Sequence, residues 1–432
     1  MMKYLFYNAF ILSMDSALSC YDKGIVQIDG SEIIYVGNGA CAPPKFNPDR
    51  IVDCQGDILM PGFVNAHAHT AMTLFRGYGS GKNLQDWLYN YIFPIEEKLL
   101  PEDVYFGSMI GIAEMLLSGT TCFNDMYNFE PETAKALAES GMRGRLCSIH
   151  TLDEAYAARL VRDWDGAAEG RIRICMGLHS IYTKTGPELR RGGEIANRLG
   201  VGVHIHVSET TKEVEDCLAQ NGCTPFAYLA QLGVLDNPVV AAHCVDLRPG
   251  DLELMKRYSV AVAHCPSSNL KLGSGISPVA KMRDSGITVG LGTDGVASNN
   301  NVDMLEEASL ASLLSKGFLK RPEVMDAMET LAMATRDSAT AIGLGDCIGT
   351  LAPGKRADMI RVSRQGLYYM PYIAQPEHQL LYSGNRNDIR MTMVDGNILA
   401  EDGELKTIDL DYILSGYKKC IERLYAGGGV NG

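Results

Sequence analysis

Residues 62–69 read GFVNAHAH, an apolar run that follows Pro61 and ends in two histidines two positions apart. In a β-strand, residues two apart point to the same side, so His67 and His69 would face one point in space. Two imidazoles placed this way can close on a single ion, and they also fit two ordinary polar residues in a loop. The rest of the chain has to decide between these readings.

Seven more short apolar runs follow: TTCFNDM (120–126), RGRLCSIH (143–150), RIRICMGLHS (171–180), VGVHIHVSE (201–209), PVVAAHCV (238–245), VAVAHCP (260–266) and TVGLGTDG (288–295). Helical stretches lie between them, such as PEDVYFGSMIGIAEMLLSG, and several open on proline and close on glycine, as helix starts and stops do. Eight β runs with helical crossovers predict an α/β protein built on a (β/α)8 barrel. The runs end on His67 and His69, Asp125, His150, His179, His206 and Glu209, His243, His264, and Asp294. Barrel enzymes keep their chemistry at the carboxyl ends of the strands. Histidines used for packing would be scattered, and these are not.

Outside the barrel the pattern changes. Residues 1–58 are strand-rich, with a turn signal at Asp29-Gly30, and strand patterns return after residue 350 with a second hairpin signal at Asp395-Gly396. The two ends are expected to pair as one small β-sandwich domain, 1–58 plus 350–432, beside a catalytic barrel at 59–349. A last helix is expected over YILSGYKKCIERLYAGG.

A net charge of −13 argues against a nucleic-acid partner, which would demand clustered Lys and Arg. No apolar run approaches the ~18 residues of a membrane span. The opening MMKYLFYNAFILSMDSALSC is broken by Asn8, Ser13 and Asp15, and reads better as a strand than as an export leader. The 12 cysteines are scattered without a C-x-x-C pair, which suits a reducing, cytoplasmic setting. An assembly of identical subunits is compatible with the sequence, which sets no subunit number.

Collected in strand order, His67, His69, His206, His243 and Asp294 offer imidazoles and a carboxylate of the kind that hold a borderline divalent ion such as Zn²⁺, with a position left for water. Glu209, three residues after His206, is placed to shuttle protons. His243 is a candidate to orient the nucleophile, and Asp294 to serve as ligand and base. His204 shares a strand side with His206, so one of the two can be only supporting, and TDG at 293–295 taken alone is an ordinary turn. The role of His264 stays open.

The stretches PGFVNAHAHT, HVSET, AAHCV, HCPSSNLKLGSGISPV and LGTDGVASNNNVDM resemble the amidohydrolase superfamily. Within it, SNLKLGSGI and GTDGVASNN are similar to the branch of 5-methylthioadenosine/S-adenosylhomocysteine deaminases and related chlorohydrolases. The resemblance covers nearly the whole chain. It implies one metal ion, expected to be Zn²⁺, on His67, His69, His206 and Asp294, with Glu209 and His243 as the proton-transfer and nucleophile-orienting residues. It also places Glu96, in FPIEEKL, at the ribose hydroxyls, where the bland alternative is a surface acid, and His179 at the purine; Trp87 packs either near the 5′ group of the substrate or within its own helix. His150 is a further candidate substrate contact at the end of the third strand.

The expected activity is hydrolytic deamination of adenine nucleosides, with a small-molecule nucleoside as the partner. Alternatives are a deaminase of a free base such as guanine or cytosine, a triazine chlorohydrolase, or a non-catalytic relative that only binds. Glu96 separates the first alternative, because a free base has no ribose for it to hold, and a degenerate relative would lack a ligand or Glu209. Relatives that favour S-adenosylhomocysteine carry arginines just beyond strand three. Here that stretch offers Ser148, His150, Thr151 and Asp153, with Arg159 already in a helical pattern. A neutral 5′ substituent is therefore expected.

Overall fold

The computed structural model describes residues 2–43, 45–149 and 153–426. Eight parallel strands make the central sheet: β1 (Phe63–Ala68), β2 (Thr120–Asp125), β3 (Arg143–Ser148), β4 (Ile172–Ser180), β5 (Val203–Val207), β6 (Val239–His243), β7 (Ala261–His264) and β8 (Val289–Leu291). Each pairs with its sequence neighbours, and a parallel bridge between Ala68 and Asp294 draws the end of the first strand to the segment after the last. The result is a nearly closed barrel, in which the eight apolar runs are the eight strands. Their side chains are buried almost throughout because helices cover the outer face while the inner face fills the barrel.

Local signals explain the crossovers. The helix Gly186–Leu199 starts on a reciprocal cap: Thr185 accepts from the Glu188 amide, and the Glu188 carboxylate accepts from the Thr185 amide at 2.7 Å. It ends on Gly200, whose φ of +67° is the left-handed conformation that closes helices. The helix Pro101–Leu117 likewise begins on proline, and Asp103 accepts from the Leu100 amide at 2.6 Å.

Both chain ends build a second, nine-stranded mixed sheet. Its seam is the antiparallel pairing of Ile58–Pro61 with Met359–Val362. The hairpin at Asp395-Gly396 forms with φ of +51° and +76° at the two turn residues, the sign that a two-residue turn of this hand requires. The first hairpin turns on Gly30 and Ser31, since Asp29 still pairs with Glu32. Arg143 of β3 ties barrel to sheet: it donates to Asp358 at 2.8 and 3.1 Å and to Asp395 at 3.1 Å, all buried. The last helix, Leu410–Leu424, is capped by Asp409, which accepts from the Tyr412 amide. No helix among the described residues is long and apolar enough to cross a membrane.

Candidate active site

The strand ends converge on one point at the carboxyl end of the barrel. Nε2 of His69 lies 3.1 Å from Asp294 Oδ1, and Nε2 of His67 lies 3.3 Å from the same oxygen. Nε2 of His206 lies 3.4 Å from Nε2 of His69. Second contacts settle which nitrogen of each ring faces inward. Nδ1 of His69 meets the Met126 carbonyl at 2.5 Å, and Nδ1 of His206 meets the His179 carbonyl at 2.8 Å. A carbonyl only accepts, so both Nδ1 atoms carry the proton and both Nε2 lone pairs point at each other. Two lone pairs at that distance repel unless positive charge, a metal ion or a proton on one ring, sits between them.

The donor spacing fits such a cation. Ligand atoms of a tetrahedral ion with bonds of about 2.0–2.1 Å lie roughly 3.3–3.4 Å apart. Nε2 of His67 is fully buried and makes no hydrogen bond, so its lone pair is a further candidate ligand. The candidate donors of His67, His69 and His206, and those of His67, His243 and Asp294, each lie within 4.8 Å of one another. Residues of this chain therefore fit a metal ion here. The electrostatics agree. Burial disfavours charge on both Asp294 and His69, yet their mutual contact overrides it, holding the carboxyl well below its usual range and raising the imidazole.

The backbone is bent to make this cluster. His179, His243 and Asp294 have φ of +54°, +74° and +61°, in the left-handed region that costs non-glycine residues about 1–3 kcal/mol each. Such strain survives only where surrounding contacts hold it. Asp294 Oδ2 accepts from Ser268 Oγ at 2.5 Å and Ser298 Oγ at 3.0 Å, and Oδ1 accepts from the Gly295 amide at 2.8 Å.

Glu209 sits beside the cluster. Its Oε1 lies 3.8 Å from His243 Nε2, and its Oε2 accepts from the Tyr182 hydroxyl at 3.0 Å. Burial pushes its pKa up. Its amide and that of Ser208 donate to Glu213, at 2.8 and 2.9 Å, which fixes the turn after β5. His243 Nδ1 donates to Asn269 Oδ1 at 2.8 Å, leaving Nε2 with its lone pair directed at the site.

These groups form the floor of a cavity of about 250 Å³, whose wall carries Glu96, Trp87, Phe93, Tyr127, His179 and Tyr182. Burial raises Glu96 to about 7, partly offset by the Tyr127 hydroxyl beside it. Burial lowers His179 to about 3, so its ring is neutral, and its Nδ1 lies 2.8 Å from Thr183 Oγ1. The Trp87 indole donates to the Tyr78 carbonyl at 3.3 Å.

Of the residues expected from sequence, His67, His69, His206, Glu209, His243, Asp294, Glu96, His179 and Trp87 are all gathered here. His150 lies outside the described residues. His204 and His206 are separated by depth: His206 reaches the cavity, while His204 Nε2 sits 3.0 Å from His67 Nδ1, behind it. His264 is buried with an unpartnered Nδ1 and does not line the cavity. Asp125 accepts from the Thr70 amide at 2.6 Å and its hydroxyl at 2.7 Å, anchoring the turn after β1. Tyr127, Tyr182, Glu213 and Asn269 were not singled out. Glu213 carried a local signal, four residues after Glu209 behind the capping Thr210, and Asn269 lies within the SNLKLGSGI stretch.

The family model described as the amidohydrolase family matches residues 58–399. A protein of Acetivibrio thermocellus named 5-methylthioadenosine/S-adenosylhomocysteine deaminase is 40% identical over 430 residues, covering 98% of this chain and 100% of that one. A protein of the same name from Moorella thermoacetica is 42% identical over 412 residues, covering 94% of this chain and 95% of that one. Among solved structures, an adenosine deaminase from Xanthomonas campestris with bound Zn superposes with a TM-score of 0.92 at 32% identity, covering 98% of each chain. The chain belongs to the amidohydrolase family, in the branch formed by the 5-methylthioadenosine/S-adenosylhomocysteine deaminases.

Proposed function

We propose that this protein is a metal-dependent hydrolase that deaminates adenine nucleosides, converting the 6-amino group to a 6-oxo group and releasing ammonia. The observation that carries the reading is a single cavity with the His/Asp cluster and Glu209 at its floor and the half-buried Glu96 on its wall. The names of the relatives in the same branch support it. We assign the ion to His67, His69, His206 and Asp294, as a single Zn²⁺. Such an ion, when bound, polarises a water and lowers its pKa to about 7.

The remaining work falls to side chains of this chain. His243, with Nδ1–H committed to Asn269, accepts a hydrogen bond from the attacking water through Nε2 and aims it at C6. Glu209 takes up the first water proton and passes it to ring nitrogen N1 as the water oxygen adds, burial favouring its acid form in between. Asp294 takes up the second water proton, which then goes to the amino group so that ammonia leaves. The Tyr182 hydroxyl holds one Glu209 oxygen so that the other faces the reacting atoms. Phe93 and the neutral His179 ring bound the purine, and Trp87 bounds the 5′ side. For the chain as a whole we propose units 1–58 plus 350–432 and 59–349, and a cytoplasmic location consistent with twelve free cysteines.

Glu96 decides between nucleoside and free base. One carboxylate accepts from both vicinal hydroxyls of ribose. Glu96→Ala is therefore expected to cost ribonucleosides ~1.5–3 kcal/mol in kcat/KM and 2′-deoxyribonucleosides much less. Because the acid form cannot accept twice, the ribo-to-deoxy ratio of kcat/KM in the parent enzyme should fall as pH drops through about 7. A ratio independent of pH, with equal losses in Glu96→Ala, moves the ribose site elsewhere.

Among the described residues, no arginine or lysine lines the cavity. Arg159 instead lies 5.3 Å over the Tyr156 ring, and Asp153 caps the helix Glu154–Trp164. A carboxylate on the 5′ group would find no partner, while a methylthio, hydroxyl or hydrogen needs none. An ammonia-release screen of the metal-loaded enzyme should rank 5′-deoxyadenosine, 5′-methylthioadenosine or adenosine above S-adenosylhomocysteine by at least ~10-fold in kcat/KM, equivalent to about 1.4 kcal/mol. Guanine and cytosine belong in the same screen. Release from those bases, with none from nucleosides, overturns the proposed function.

A further inference from the structure

β3 carries two arginines two residues apart, and they meet opposite fates. Arg143 is neutralised by Asp358 and Asp395. Arg145 is 7% exposed, and its guanidinium makes no ion pair and no hydrogen bond to another described residue. Its Nη1 is completely shielded and unpartnered. A buried cation without an acceptor is costly, and proteins keep one where something else supplies the counter-charge.

Arg145 lines a cavity of about 420 Å³ at the amino-terminal end of the barrel, opposite the candidate active site. The lining includes Gly202, Val239, Ala261 and Thr288, at or just before the starts of β5 to β8. Gly202 leaves the space the guanidinium occupies: a Cβ there would sit 2.5 Å from Arg145 Nη2 and 2.9 Å from the Pro238 carbonyl. The cavity's carboxylate, Asp165, is already engaged, accepting from Arg173 Nε at 3.0 Å and the Ile174 amide at 2.9 Å.

We propose that this cavity binds a small organic monocarboxylate, with its carboxylate on Arg145 and its apolar body against Ile174, Leu199 and Leu344. The guanidinium fork matches one carboxylate through two hydrogen bonds. Arg173 also lines the cavity and is balanced by Asp165 at 3.0 Å, so the charged side chains of the lining sum to one positive charge, which suits a monoanion better than a dianion. The volume lies within the range of small-molecule sites.

Melting of the metal-loaded full-length protein with pentanoate, pentanamide or inorganic phosphate tests this. Pentanoate should raise the melting temperature saturably, by about 2 °C at tens of millimolar, with little effect from pentanamide or phosphate. Arg145→Met removes an unpaired charge, so it should melt no lower than the parent and lose the pentanoate response. Amide hydrogen exchange of the parent locates the ligand without any variant, with pentanoate expected to protect residues 199–203. The inference is overturned by an equal rise with pentanamide or phosphate, by a rise that survives Arg145→Met, or by protection confined to the strand ends at the opposite mouth.

Discussion

Glu209→Gln is expected to retain metal while losing roughly 10²-fold or more in kcat. Glutamine keeps the shape and can still accept from the Tyr182 hydroxyl at the position of Oε2. It cannot take up and release a proton, which the transfer from the attacking water to N1 needs. Glu209 does not contribute to the group of His67, His69 and His206 donors, so the variant should bind as much metal as the parent. Metal content by elemental analysis and single-turnover ammonia release separate the two effects. A variant that turns over near normally would move the proton shuttle elsewhere, with His243, 3.8 Å from Glu209, next in line.

Removal of the ion should have the largest effect. Purified protein is expected to carry about one divalent ion per chain, and dialysis against a chelator should abolish turnover until Zn²⁺ is restored. His206→Ala should lower metal content and rate together. It deletes one of the two Nε2 lone pairs that face each other at 3.4 Å, while His69 and Asp294 remain in contact. The loss of affinity should exceed the roughly 10–100-fold typical of losing an outer hydrogen-bond partner of a ligand. Full activity in metal-free protein would refute the assignment.

Much of this site was legible along the chain because barrel strands are short and regular. Period-two spacing puts His67 and His69 on one side, and the carboxyl end of a strand can be located from where its apolar run stops. That is local information, and it sufficed to collect residues from β1, β5, β6 and β8. Depth along a strand was not legible. His204 and His206 share a side and a composition, and only the stagger of neighbouring strands brings His206 into the cavity while His204 supports His67 from behind.

Partner choice was equally hidden. Tyr182 reaches Glu209 across 27 residues, and Ser268 reaches Asp294 across 26, in segments whose sequence gives no sign that a hydroxyl is aimed at a carboxylate. The sharpest case is β3. By sequence, Arg143 and Arg145 are the same residue on the same side of one strand. The paired acids of Arg143 lie 215 and 252 residues away, brought in by the sheet that joins the two chain ends, and none arrives at Arg145. Periodicity and strand ends, which depend on neighbours in the chain, set the barrel and the order of its ligands. Charge compensation depends on what long-range packing places within about 3 Å, and so the tertiary structure alone decided which arginine is satisfied and which faces a cavity.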